Sequence, residues 1–403
     1  MNMNKENNPP TQQKIEKLKE ANEEILNEMA KTRKLKKATT RRYKLVLNRY
    51  SIFHNMTLQE LLDEADEEEE LRIRHKKRKI KKRIMDFRTY VYDTYMKATA
   101  KSNVDTILTF YRHFELEIPL LPAVSTKNTR ENPPLLYSDL LTKDILKKVL
   151  DMSTPKMKAL ILFSISSGSA NAETMSLTIQ DFIDATSNNV SNYHNSNDIY
   201  EVIRLLINRD DVVPTFFMKR KKTNKYYYTF CTPEATHAIL SYLQGSQRKL
   251  VPEDKLFRIH PNSVARTLAD MNEDLGLGKK GTYNRLRTHM FRKFNASTLR
   301  KAGMSMDDVN SIQGKGKNRV NEPYFFDSPE QLKKVYITFM DAVLIDWNMH
   351  EFNIKSKEYE MLEEELDKRN AEYDKLKDRV SSLETIITSN ISDDEREVIS
   401  KYI

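Results

Sequence analysis

Arg287-Thr-His-Met-Phe-Arg-Lys-Phe-Asn-Ala-Ser-Thr-Leu-Arg-Lys-Ala-Gly303 is the stretch whose reading decides the fold. His289 and Arg292 stand at the head of what reads as a helix, and Gly303 falls eleven residues after the arginine. Further on come Gly314 and Lys315, and nine residues beyond the lysine stands Tyr324. A His-x-x-Arg by itself occurs by chance. Histidine, arginine, a basic residue after glycine and a tyrosine, spaced over 36 residues, carry far more.

Upstream of this stretch the expected elements are a helix through Ile145, Val149 and Leu150, a buried helix from Met157 to Ser166, then Ser-Ser-Gly168 and a helix over 171–177. Strand character is read over 198–231, in Ile199-Tyr-Glu-Val-Ile203, Thr215-Phe-Phe-Met218 and Tyr226-Tyr-Tyr-Thr-Phe230. Lys219 to Lys225 joins the last two as a basic hairpin. Residues 123–137 form a polar, proline-containing linker. Before it, 38–122 reads as a compact helical domain holding Arg41, Arg42 and Lys44 and a tract from Arg72 to Arg83. Nine Lys or Arg residues and no acid fall within 71–85, among them Lys76, Lys77, Arg78 and Lys79. The tract reads either as a solvated helix face paired at i, i+4 with the preceding acids or as phosphate contact, and its density favours the second. Residues 1–12 read as disordered, and Gln13 to Lys37 as a charged helix with Ile15, Leu18, Ile25 and Met29 near one face, made for interaction or simply solvated.

Downstream, Tyr359, Leu362, Leu366, Arg369, Tyr373, Leu376, Val380, Leu383 and Ile387 alternate steps of three and four. This is a heptad seam within a coiled-coil helix over 346–390, ahead of a tail at 391–403. So narrow a seam needs a partner helix, from another subunit or from this chain; the alternative is a surface helix docked on its own domain.

Composition narrows the function classes. The 403 residues carry 67 Lys+Arg against 58 Asp+Glu, a formal net charge of +9 that suits a polyanionic partner. The single cysteine, Cys231, rules out a disulfide framework and a thiolate metal site, and fits a cytoplasmic, reducing setting. Eight glycines leave no room for a glycine-rich phosphate loop. No apolar run approaches a membrane span of roughly 18 residues.

The pattern from His289 to Tyr324, preceded by the basic hairpin, resembles the box of the tyrosine recombinase (phage integrase) family. The resemblance covers about residues 38–345. It implies a mainly α protein with a small β-sheet (α+β), in which 38–122 is a helical core-binding domain and 138–345 the catalytic domain. In the family these two form a C-shaped clamp around double-stranded DNA. Lys97 to Leu121, with Ser102, Thr106-Ile107, Phe110-Tyr-Arg112 and Ile118-Pro119, looks nearest to integrase-like proteins of archaeal mobile elements.

The implied reaction is phosphoryl transfer without metal or cofactor, and without a small-molecule substrate. A phenol oxygen attacks a phosphodiester in line while charge develops on the non-bridging oxygens. Tyr324 takes the nucleophile's place and would form a 3′-phosphotyrosyl link that conserves the bond for rejoining. Arg292 suits the phosphate because its planar fork donates two parallel charge-assisted bonds and stays charged. His289 and Lys315 would donate to the same oxygens, and His289 is also placed to take the phenol proton. On the hairpin, Lys222 resembles the family's general acid toward the leaving oxygen, with Lys221 and Lys225 as rivals. Arg220 beside it, with Arg41, Arg42, Lys44 and Lys76 to Lys79, is read as contacting the DNA backbone. Self-association on DNA, as a dimer or a tetrameric synapse, is expected.

One position departs from the pattern. The family's first catalytic arginine belongs two residues after a glycine and three before a glutamate. In Ser167-Gly168-Ser169-Ala170-Asn171-Ala172-Glu173 that slot holds Ala170. Losing one pre-organised donor costs roughly 10²–10³ in rate. Either a nearby cation such as Arg285 or Arg287 substitutes, or cleavage is slow, or the protein binds DNA without cutting it.

Overall fold

The computed structural model describes residues 11–125, 129–190, 198–315 and 328–346, together with 372, 375, 376, 379 and 380. The chain divides into two compact units, Met1–Pro134 and Leu135–Ile403. The mainly helical architecture with small antiparallel sheets is the α+β class expected.

Five helices build the first unit: α1 (Gln12–Thr32), α2 (Lys37–His54), α3 (Leu58–Glu70), α4 (Lys79–Thr94) and α5 (Lys97–His113). Leu18, Ile25, Leu26 and Met29 of α1 are buried. Between them Asn22 donates to Asn48 Oδ1 at 3.0 Å and Ser51 Oγ at 2.9 Å, and accepts from the Leu58 backbone N–H at 2.7 Å. That N–H opens α3 and has no partner within its own helix, so the asparagine supplies one. The charged helix is thus packed on the unit by one face, with its charged residues exposed. Its burial was hidden by the polar residue in the middle of the apolar face.

The cationic tract is not one helix. A turn spans 71–78 and α4 starts only at Lys79, because acids of α3 fold back onto the tract. Glu68 accepts from the Lys79 N–H at 2.9 and 2.7 Å, and Arg83 forks onto Glu64 at 2.5 and 2.8 Å. Pairing therefore runs across a turn rather than at i, i+4. Arg78 is 8% exposed and donates to Ile73 O at 2.9 Å and Glu117 at 3.3 Å, with Glu69 at 3.8 Å. It braces the unit, and the phosphate contact expected of it has no exposed guanidinium to rest on.

The second unit holds α6 (Lys143–Asp151), α7 (Pro155–Ser167), α8 (Asn171–Thr174), α9 (Ile179–Val190), α10 (Ile199–Leu206), α11 (Pro233–Gln244), α12 (Pro261–Asp274), α13 (Thr288–Ala302), α14 (Met306–Ile312) and α15 (Pro329–Phe339). Its hairpin pairs β1 (Thr215–Lys219) with β2 (Tyr226–Phe230), in register from Thr215 opposite Phe230 to Lys219 opposite Tyr226. A smaller hairpin pairs β3 (Lys279–Lys280) with β4 (Tyr283–Asn284). α7 is the axis of this core. Met157 and Ala159 to Ser167 are all buried, so only the first turn reaches solvent, and α11 and α13 pack against it. Thr154 caps its start, Pro155 fills the position whose N–H would be orphaned anyway, and Gly168 ends it in the left-handed region at φ 60°.

One expected strand is a helix. Ile199 to Ile203 lies in α10, where Ile199, Val202, Ile203 and Leu206 are buried at helical spacing and Asp198 accepts from the Tyr200 N–H. A capped, one-sided apolar face outweighs the strand preference of β-branched residues. Of the heptad segment only scattered positions are described; they are helical, with Leu376 and Val380 exposed. The rest of 346–390, the tail at 391–403 and the N-terminal residues 1–10 lie outside the described residues. No helix among the described residues is long and apolar enough to cross a membrane.

Candidate active site

Three backbone carbonyls organise the cationic cluster of the second unit. α13 brings in Arg292, which is buried and donates from one terminal nitrogen to Gly168 O at 2.7 Å and from the other to Gln313 O at 2.8 Å. Arg220, at the mouth of the β1–β2 hairpin, donates to the same Gln313 O at 3.0 Å and to Gly314 O at 2.7 Å. Two guanidinium groups thus share one carbonyl oxygen, and their like charges must be offset by carbonyl dipoles and by whatever anion enters.

Side chains behind them fix the carbonyls. Asn295, one turn after Arg292, donates to Ile165 O at 2.9 Å and Ser166 O at 2.8 Å at the end of α7. Gln313 is fully buried and donates to Arg292 O at 3.1 Å and Asn295 Oδ1 at 2.7 Å. Two glycines are required by these close approaches. A Cβ on Gly168 would stand 2.3 Å from Asn295 Oδ1, and one on Gly314 would stand 2.5 Å from the Tyr227 ring; both residues also have φ of 60°.

Glu173 joins the hairpin to the departed arginine slot. This buried carboxylate accepts from the Ala170 N–H at 3.0 Å, from the Lys221 N–H at 3.3 Å and from the Tyr227 hydroxyl at 3.4 Å. The backbone beside residue 170 and the backbone beside residue 220 are therefore bound to one carboxyl group.

Lys315 follows Gly314 and is half-buried. Burial first, then the charges of Arg292 and Arg220, hold its ammonium below the ordinary lysine value. His289 opens α13. Burial, then the charges of Lys293, Arg287, Arg292 and Lys315, hold its imidazole below the ordinary histidine value. Burial, then Arg220, also presses on Arg292. Every one of these shifts disfavours the charged form, as expected where burial and neighbouring cations act together. A bound dianion is expected to oppose the cationic part of the shift at His289. Its charge cancels the repulsion and raises the imidazole value, so binding takes up a proton and tightens as pH falls through the histidine range. Inorganic sulfate, which does not titrate there, is expected to move the His289 imidazole NMR titration to higher pH; an unchanged curve at saturating sulfate would place the histidine away from the anion.

Of the residues expected here, Arg292, His289 and Lys315 come together, joined by Arg220. Lys221, Lys222 and Lys225 are exposed on the six-residue hairpin loop between Lys219 and Tyr226. Tyr324 lies outside the described residues. Arg285 donates to Ser138 O at 3.1 Å and Asp139 O at 3.4 Å, and Arg287 lies over the Tyr283 ring with 5.1 Å to its centroid. In the first unit, Arg41, Lys76 and Lys77 are exposed, Arg42 donates to Ser102 O at 3.1 Å, Lys44 is paired with Glu23 and Lys79 lies 3.6 Å from Glu64. Sequence reasoning missed Gln313 and Asn295. The available signals were that Asn295 falls three residues after Arg292 on the same helix and that Gln313 directly precedes Gly314.

Among solved structures, the chain is similar in fold to recombinases and integrases. XerA recombinase aligns at 16% identity over 80% of this chain and 97% of its own, with a TM-score of 0.32. The lambda integrase dimer bound to a core site aligns at 13% identity over 78% and 97%, with a TM-score of 0.48. The Tn1549 transposon integrase in complex with circular intermediate DNA aligns at 11% identity over 79% and 98%, with a TM-score of 0.47. No protein-family model and no curated protein sequence matches the chain. Likenesses this distant carry no chemistry, which has to come from the site's own residues.

Proposed function

We propose that this chain is a tyrosine-type DNA strand transferase, cutting and rejoining duplex DNA through a phosphotyrosyl intermediate. The observation that carries the reading is the convergence of Arg292, Arg220, His289 and Lys315 on one patch, with Tyr324 nine residues beyond the lysine. A cluster of cations with two guanidinium forks suits a phosphodiester, whose non-bridging oxygens gain charge as a fifth oxygen approaches. Tyr324 is the nucleophile, Arg292 clamps the phosphate, and His289 takes the phenol proton or donates to a phosphoryl oxygen. Lys315 adds a donor, and a hairpin lysine, Lys222 first, protonates the leaving 5′ oxygen. The chain acts on DNA as an assembly of two or four copies, held in part by the heptad segment.

The alanine at 170 favours a second reading, a DNA-binding protein of the same fold that does not cut. One experiment separates the two. A nicked suicide duplex made from the DNA flanking the coding sequence is expected to give a covalent protein–DNA adduct that survives denaturation. Retained binding with no adduct would leave the second reading. On either reading, the logarithm of the affinity should fall linearly with the logarithm of salt concentration, with a slope of about −0.9 for each phosphate neutralised. A salt-independent affinity would remove phosphate contact altogether.

A further inference from the structure

We propose that Arg220 supplies the second phosphate-clamping guanidinium, so that the hairpin fills from the opposite side the place left by Ala170. The inference rests on the strand-transfer reading for its chemistry, and on the geometry of Arg220 for its assignment.

Position comes first. Glu173 binds the Ala170 N–H with one oxygen at 3.0 Å and the Lys221 N–H with the other at 3.3 Å, so the hairpin mouth is docked on the backbone of the empty slot. A side chain leaving residue 220 starts one residue from that dock. It ends on Gln313 O, the carbonyl that Arg292 also binds. Arg220 therefore lies beside the one arginine that the pattern retains, on the same oxygen.

Donor geometry comes second. A guanidinium has five N–H donors in a fixed fork. The bonds to Gln313 O and Gly314 O, at 3.0 and 2.7 Å, both come from Nη1 and use its two hydrogens. What remains is the Nε–Nη2 edge, which matches two phosphate oxygens in parallel. Arg220 Nε is buried without a partner, and among the described residues no bond engages Nη2. A buried donor left unpaired costs free energy unless a ligand satisfies it. Nη1 thus anchors the side chain, and the Nε–Nη2 edge is left unbonded among the described residues.

Third, the two arginines that could rival it have other partners. Arg285 is tied to Ser138 O and Asp139 O, and Arg287 stacks on Tyr283.

The test has two arms. In the cleavage arm, with the suicide duplex from the flanking DNA, Arg220→Ala is expected to lower adduct formation roughly 100-fold or more, while half-site binding falls far less. Arg220→Lys, keeping charge without the fork, should fall in between. Ala170→Arg should give no gain in the parent chain, where the place is taken, but should restore at least about tenfold in Arg220→Ala. Arg220→Ala cleaving like the parent, or Ala170→Arg accelerating the parent as much as it does Arg220→Ala, would overturn the assignment. The second arm needs no cleavage. Inorganic sulfate binding to the full chain, followed by calorimetry, should weaken about tenfold or more in Arg220→Ala and less in Arg220→Lys, at matched melting temperatures. Unchanged sulfate affinity would also overturn it. A parent chain that forms no adduct, yet loses sulfate binding with Arg220→Ala, would defeat the strand-transfer reading and leave Arg220 as an oxyanion ligand.

Discussion

Tyr324→Phe is expected to give no covalent adduct with the suicide duplex, while affinity for that duplex changes by less than about threefold, since only one hydroxyl is lost. Phenylalanine keeps the ring and removes the only atom that bonds to phosphorus. The structure makes this test discriminating because it disqualifies the tyrosines it buries near the cluster. Tyr227 donates its hydroxyl to Glu173, and burial followed by the Glu173 charge raises its value well above the ordinary phenol range. Tyr336 is fully buried, donates to Ser166 O at 3.1 Å and is likewise raised by burial. A phenol held in its neutral form with its proton spent on a neighbour is a poor nucleophile. Tyr283 is different. It is exposed and stacked with Arg287, two residues before His289. An adduct persisting in Tyr324→Phe and lost in Tyr283→Phe would move the nucleophile there and end the spacing argument.

The difference between what could be read from residues alone and what could not follows from the range of the forces. α13 was legible because its limits are local: a polar entry, apolar residues at helical spacing, and Gly303 at φ 115° to stop it. The β1–β2 hairpin was legible because two aromatic, β-rich runs flank a short basic loop. α10 was misread as a strand because its composition favours β while its capping by Asp198 and its buried face favour helix, and only packing decides between them. The acids Glu64, Glu68 and Glu69 looked like i, i+4 partners but reach the basic tract across a turn. Arg220 was read as one more backbone contact in a row of cations. Nothing local distinguishes it from Lys221 or Lys222, because its role is set by carbonyls 93 and 94 residues away.

Arg292→Lys is the second large effect expected, about 10²–10³ in adduct formation with a smaller loss of stability. The two effects come from different donors of the same side chain. Bonds to Gly168 O and Gln313 O use one hydrogen on each terminal nitrogen, leaving three of the five donors for phosphate. A lysine reaching the same place can satisfy one carbonyl or one phosphate oxygen well, but it cannot brace α7 against the end of α14 and also present a fork. The abandoned carbonyl is buried, so the second unit should lose about 1–3 kcal/mol, read as a lower midpoint in denaturant. Cleavage measured well below that midpoint isolates the chemical loss. If Arg292→Lys is destabilised as expected but cleaves within about tenfold of the parent, the guanidinium is a brace and no phosphate clamp. In that case Arg220, Lys315 and His289 would have to hold the charge between them, and the loss on Arg220→Ala should then exceed that on Arg292→Lys. The ratio of the two losses, compared at equal folded fraction, ranks the two arginines against the phosphate without a bound structure.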